Sequence, residues 1–182
     1  MGLISLNVKK KVECLGVTNR IVTTEGEMYV MFLDYDNITF QKLNMEIQKI
    51  MNKWDLGWTY IIKSNDDDLH WHVICPTIIT PYDYLGILWD SSCDLPYKKS
   101  FFTLREKTLR ISEKKDDRKN KFPELHALFE ADSDKPYSTG HIKFLQKYYK
   151  AKVPICERYI ETPIEYVQYK TSHLNGDTDG KY

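Results

Sequence analysis

No apolar run in this sequence approaches the roughly 18 residues that a membrane-spanning helix needs, so no segment reads as a helical span. The opening, MGLISLNVKKKVECLGVTNR, carries its charges after its short apolar stretch, the reverse of a secretory leader, and no membrane contact is expected. Cysteine is sparse and scattered. Cys14, Cys75, Cys93 and Cys156 include no Cys-x-x-Cys pair, which excludes a zinc knuckle or a dithiol redox centre of that type. Reduced, mostly buried thiols and a cytoplasmic location are the expectation. Neither sign of charge is in excess, since 26 Lys and Arg face 26 Asp and Glu. A protein that coats nucleic acid without specificity carries a large positive excess, so any nucleic acid here must meet a local patch.

What is present is the material of one globular domain. The 182 residues are 42% hydrophobic and 13% aromatic, enough to bury a core without a second module. The segment EMYVMFLDY, residues 27–35, is β-branched, aromatic and apolar and ends at Asp36-Asn37, which predicts a buried strand entering a turn. From Phe40 to Trp54, Leu43, Ile47, Ile50, Met51 and Trp54 recur at spacings of three and four, the stripe of an amphipathic helix. Residues 58–63 and 69–75 read as two strands joined by the polar SNDDD, with Pro76 closing the second. A helix is expected around Pro81–Trp89, and SFFTLREKTLRIS, residues 100–112, reads as one strand or two short ones.

The order is strand, helix, strand, strand, helix, strand. It predicts an α+β fold with an RRM-like or ferredoxin-like βαββαβ core of about residues 28–150, helices on one sheet face, the other face open, and additions at both ends. Beyond it, KKDDRKNKFP reads as a charged loop, HIKFLQKYYKAK as a helix and ERYIETPIEYVQYK as a final extended segment. Residues 174–182 are expected to fray.

Side chains alternate along a strand, so Asp34 and Asp36 leave the same face at the end of an otherwise apolar strand. Adjacent carboxylates repel, and a divalent cation such as Mg²⁺ or Mn²⁺, bound through hard oxygen ligands, relieves that repulsion. A turn or helix cap is the plain alternative. In LHWHVICP, His70 and His72 also fall on one side of a strand, a placement suited to a metal or a phosphate, or to two half-buried, hydrogen-bonded histidines. In the βαββαβ plan the first and third strands are neighbours, so Asp34, Asp36 and His72 converge.

The run MFLDYDN resembles the catalytic Asp-x-Asp strand of the archaeo-eukaryotic primase-polymerase superfamily, and YIIKSNDDDLHWHVICP is similar to its hairpin ending in a nucleotide-contacting histidine. The resemblance, to the minimal plasmid and viral type, implies a nucleotide-binding role for His72, with His70 where the family carries a small residue. Cys93-Asp94 resembles the third acidic motif, which makes Asp94 a further metal ligand, with Asp90 nearby as its competitor. TLRISEKK is similar to the family's basic strand, which implies phosphate contacts from Arg110 and Lys114 flanking Ser112. It further implies a DNA primase, a two-metal nucleotidyltransferase using nucleoside triphosphates on a single-stranded DNA template, with a helicase or replication subunit as a possible partner.

Two other readings remain open. His-x-His is also the signature of rolling-circle initiators and relaxases, in which His70 and His72 would bind one metal and a helix-borne Tyr149, assisted by Lys152, would attack DNA. A non-catalytic RRM-like module would instead stack bases on Tyr35 and Trp71 from the open sheet face.

Overall fold

A computed structural model describes residues 11–24, 26–65, 67–111, 123–155 and 158–172, with the backbone alone for 11–14 and 168–172. It is α+β, with four helices and mainly antiparallel sheets among the described residues, the short pair of residues 137–138 and 159–160 being parallel. A short N-terminal pair, β1 (Lys11–Thr18) and β2 (Arg20–Thr23), leads into β3 (Gly26–Tyr35). The helix α1 (Phe40–Trp54) follows, then the hairpin of β4 (Thr59–Lys63) and β5 (Trp71–Ile79). Next come α2 (Pro81–Asp90), α3 (Leu95–Leu104), β6 (Thr108–Arg110) and β7 (Glu124–Phe129). The chain continues through β8 (Tyr137–Ser138), α4 (Thr139–Tyr149), β9 (Tyr159–Ile160) and β10 (Tyr166–Ser172).

The main sheet runs β2-β3-β5-β4-β7, so the first expected strand and the second arm of the hairpin are neighbours. Their register pairs Asp34 with His72 and Tyr35 with Trp71. One face of this sheet is covered by helices. Met31, Leu33 and Tyr35 of β3 and Trp71, Val73 and Cys75 of β5 pack against the stripe Leu43, Ile47, Ile50 and Met51 of α1 and against Tyr84 and Ile87 of α2. The helix α2 begins as its sequence suggests, with Pro81 at its start and a reciprocal box between Thr80 and Asp83.

Four expectations need correction. The second sheet face is not open, because a smaller sheet, β10-β1-β6, and α4 lie over it. Val17, Leu109, Phe144 and Leu145 there meet Val30, Phe32, Tyr60, Ile62 and Ile74. Buried polar contacts fasten that cover, since Ser138 bonds His141, whose Nε2 lies 2.9 Å from the carbonyl oxygen of Thr18. Pro76 does not end β5, which continues to Ile79; the register with β3 shifts between Tyr29 and Met31, and proline is tolerated at such an irregularity. Residues 100–112 are not all strand, because α3 occupies Leu95–Leu104 and only Thr108–Arg110 pairs, with β1 rather than in the main sheet. The edge beside β3, where the βαββαβ plan places its fourth strand, is held by β2. Cys75 and Cys93 are buried free thiols, and among the described residues no helix is long and apolar enough to cross a membrane.

Candidate active site

Alternation along β3 sends Met31, Leu33 and Tyr35 toward the helices, and so sends Val30, Phe32 and Asp34 toward the smaller sheet. Asp34 therefore stands at the end of β3 on the side of the smaller sheet, with its side chain 35% exposed. Its cross-strand partner His72 sits on the same side, with Nε2 3.5 Å from Asp34 Oδ1. Asp36 lies one residue past the strand, before Asn37 turns the chain with φ 61°.

Asp94 is brought to the same place by the start of α3. It occupies the N-cap position, yet its side chain makes no bond to its own helix. Its backbone N–H instead donates to the carbonyl oxygen of Asp34 at 3.1 Å, and the N–H of Asp36 points at its Oδ1 at 3.4 Å. Three carboxylates from two chain segments thus stand together. Asp90, the competing third acid, accepts from Trp54 Nε1 at 2.8 Å and pairs with Lys53 at 2.7 Å on the α1–α2 side.

The charge arrangement is unfavourable by design of its neighbours. Burial, and then the Asp94 charge, push the Asp34 carboxyl up to about 6 against the opposing pull of Arg110, His70 and Lys107. Burial, the contact with Asp94 and the charge of Asp34 raise Asp36 to about 6 as well. His72 is 7% exposed, its Nδ1 has no hydrogen-bond partner among the described residues, and burial, with help from Arg110, pushes its pKa down to about 3. Burial thus favours a neutral imidazole, beside an Asp34 carboxyl that is ionised only above about pH 6.

Two cations complete the surround. Arg110 reaches from β6, its Nη2 3.5 Å from the carbonyl oxygen of Ser64. Lys107 is 2% exposed, lies 4.1 Å from the Tyr97 ring centroid, donates to Ser100 Oγ, and is pushed down to about 8 by burial. The sequence reading missed Lys107. A lysine inside LREKTLR, two residues before an apolar β position, was the available signal. Ser112 and Lys114 lie outside the described residues.

Compared with protein-family models, curated proteins and solved structures, the chain finds no match. Its chemistry is therefore read from the residues. Tyr149 ends α4 with its ring edge-on to Phe144 at 5.7 Å, and burial raises its hydroxyl pKa, which disfavours the phenolate a nucleophile needs. Lys152 pairs with Glu130 at 2.7 Å and lies over Trp58, beyond the end of β4 opposite the histidines. Tyr35 and Trp71 are 1% and 0% exposed on the helix-covered face, so neither offers a ring to a base.

Among the described residues no group of three or more His, Cys, Asp or Glu side chains is arranged to hold a metal ion. The carboxylates form an open cluster, not a closed cage. Such a cluster still fits Mg²⁺ or Mn²⁺ that is completed by water and substrate phosphates, for which one or two protein carboxylates suffice. Because Asp34 and Asp36 hold protons up to about pH 6, cation binding at lower pH must displace them. Mn²⁺ affinity is accordingly expected to rise between pH 5 and 7 and to level off above, with proton release at the lower end; titration calorimetry in two buffers of different ionisation heat checks both.

Proposed function

We propose that this chain is a minimal primase-polymerase, a nucleotidyltransferase that adds nucleotides from nucleoside triphosphates on a single-stranded DNA template. The observation that carries the reading is the meeting of Asp34, Asp36 and Asp94 beside a buried neutral His72 and the guanidinium of Arg110. The RRM-like core belongs to the same reading: β3, α1, β4 and β5 follow its first half, with β5 between β3 and β4. A helicase or another replication subunit is the partner class such an enzyme works with.

In this reading Asp34, Asp36 and Asp94 are the carboxylates among which Mg²⁺ or Mn²⁺ would be held by one or two oxygens at a time, and the ion would supply charge neutralisation for the triphosphate and a more acidic attacking hydroxyl. The chain does the rest. His72, kept neutral, turns Nε2 to the Asp34 side of the site, where its N–H is placed to be shared between that carboxylate and a phosphate oxygen bound beside it. Arg110 supplies a planar fork for phosphate oxygens. Lys107, sealed behind Tyr97, supplies positive potential and not contact. His72→Ala is expected to weaken nucleotide binding by about 1–3 kcal/mol, leaving template binding unchanged. Nucleotide and single-stranded DNA titrations of the variant check this, and equal losses in both would make His72 a structural residue.

The deciding experiment is incubation of the full chain with Mn²⁺, nucleoside triphosphates and primed or unprimed single-stranded DNA. Extended or newly primed products are expected, without any denaturant-resistant protein–DNA conjugate, and Tyr149→Phe retains the activity. A conjugate that disappears in Tyr149→Phe would instead identify a rolling-circle initiator.

A further inference from the structure

Glu46 stands half-buried on the flank of α1, beside Ile47 of the apolar stripe, and its carboxylate is shared by two other chain segments. Its Oε1 accepts from the Tyr35 hydroxyl and from the Ser92 N–H, each at 2.7 Å, and its Oε2 accepts from Ser92 Oγ at 2.5 Å. Lys53, farther along the same helix, pairs with Asp90 instead. A carboxylate has lone pairs for all three donors, and hydrogen bonds to a charged acceptor are the stronger kind.

The two segments are those that carry the acids of the candidate site. Tyr35 lies between Asp34 and Asp36 in the chain, with its ring buried on the helix side of β3. Ser92 lies in the connection from α2 to α3, two residues before Asp94. The ends of that connection are fastened to their own helices: the Ser91 N–H and Oγ donate to the carbonyls of Ile87 and Leu88, and the Lys98 N–H to that of Asp94, each at 2.9 Å. None of those bonds draws Asp94 toward β3. The contacts that join it to β3 are long, 3.1 Å from the Asp94 N–H to the Asp34 carbonyl and 3.4 Å from the Asp36 N–H to Asp94 Oδ1. They hold against the mutual repulsion of three carboxylates, so a tie from outside the cluster is what keeps it together.

We propose that Glu46 is a positioning residue of the nucleotidyl-transfer site, a clasp that bonds Tyr35 and Ser92 at once and so keeps Asp94 beside Asp34 and Asp36. Its carboxylate meets Tyr35 on the helix side of β3, whereas Asp34 leaves the other side, so Glu46 acts through the α2–α3 connection and does not touch the substrate. The inference rests on the reading of these three aspartates as the carboxylates of that reaction.

The test compares nucleotide transfer by the full chain with that of Glu46→Ala and Glu46→Gln, each rate taken per folded molecule, alongside amide hydrogen exchange followed by NMR. Glu46→Ala is expected to lower kcat about 10–100-fold, the cost of a misplaced reacting group, while KM for the nucleotide stays within about threefold because His72 and Arg110 lie on other elements. Exchange at the Ser92 and Asp94 amides should rise about tenfold or more, while the amides of β5 keep their protection and so report an intact fold. Glu46→Gln, whose amide oxygen still accepts from Tyr35 and Ser92, should recover kcat to within about threefold of the wild type. Should Glu46→Ala not fold, Ser92→Ala removes one of the three donors at an exposed residue and should lower kcat about fivefold. With an active wild type, an unchanged kcat in these variants, unchanged exchange at Ser92 and Asp94, equal losses in Glu46→Ala and Glu46→Gln, or a loss confined to KM each overturns the clasp and leaves the proposed reaction standing. A wild type that transfers no nucleotide fails the proposed reaction first and takes this role with it.

Discussion

Replacing Asp34 and Asp36 together by Asn is expected to lower nucleotide transfer on the order of 10³-fold or more, while making the fold more stable at neutral pH. The two effects share one cause. Burial and the neighbouring carboxylates raise both acids to about 6, so the folded chain holds their protons more tightly than the unfolded chain does. A group with a raised folded pKa favours folding when protonated, and that contribution is lost as pH rises from about 4 through about 6. At pH 7 the ionised pair therefore works against the fold. For Asp34, whose side chain is 35% exposed, the cost is on the order of 1–2 kcal/mol after solvent screening. Asn keeps the shape and removes the charge. Urea unfolding of the double variant should show higher stability than the wild type at pH 7.5 and a smaller difference at pH 4.5. An aspartate retained for structure behaves oppositely, so a double variant that is less stable at pH 7.5, or fully active, would sink the assignment.

Destabilising charge kept in a fold is a mark of a candidate site, and local rules decide which parts of this candidate site were legible in the sequence. Asp34, Asp36 and His72 were legible because strand alternation and a short hairpin are local rules: β3, α1 and the β4–β5 pair lie within residues 26–79, and their register follows from the apolar pattern. The α1 limits, Phe40 and Trp54, are those of its apolar stripe. Asp94 was placed beside them only by the family resemblance and not by a local rule, because its approach depends on α3, and SFFTLREKTLR reads as strand by its Phe and Thr content. Tertiary contacts decide otherwise there. Phe101 packs edge-on to both Tyr29 and Tyr84, which rewards a helix.

The second layer was illegible for a different reason. It depends on β1 pairing with β10 across more of the chain than any local pattern spans, for example Leu15 with Gln168. Its consequence is central to the site, since the layer covers an expected open face and brings Arg110 to the Ser64 carbonyl at the end of β4. Pro76 misled for a local reason. A single β3 residue, Val30, faces the stretch between Cys75 and Ile79, and its backbone N–H and C=O are taken by Asn19. The strand continues past a residue that cannot donate, because the donor and acceptor opposite are satisfied from elsewhere.

Trp71→Ala is expected to cost about 3–5 kcal/mol of folding stability, and Trp71→Phe to leave affinity for single-stranded DNA unchanged. Trp71 is fully buried, its Nε1 donates to the Ile38 carbonyl at 2.9 Å, and its ring lies 5.5 Å from Phe40 and 4.9 Å from His126. Truncation would empty the space between α1 and β5 and leave the Ile38 carbonyl without its donor. The phenyl ring of the conservative variant refills most of that space, and losing the indole N–H costs about 1 kcal/mol. A ring that stacked on a base would contribute about 1–3 kcal/mol to DNA affinity, several-fold to over a hundredfold in the dissociation constant. Fluorescence anisotropy with labelled single-stranded DNA separates the two. Unchanged affinity for Trp71→Phe and for the folded fraction of Trp71→Ala places Trp71 in the core beneath the site, whereas a loss of tenfold or more in folded Trp71→Ala would make it a base-stacking residue and restore the reading of a binding module.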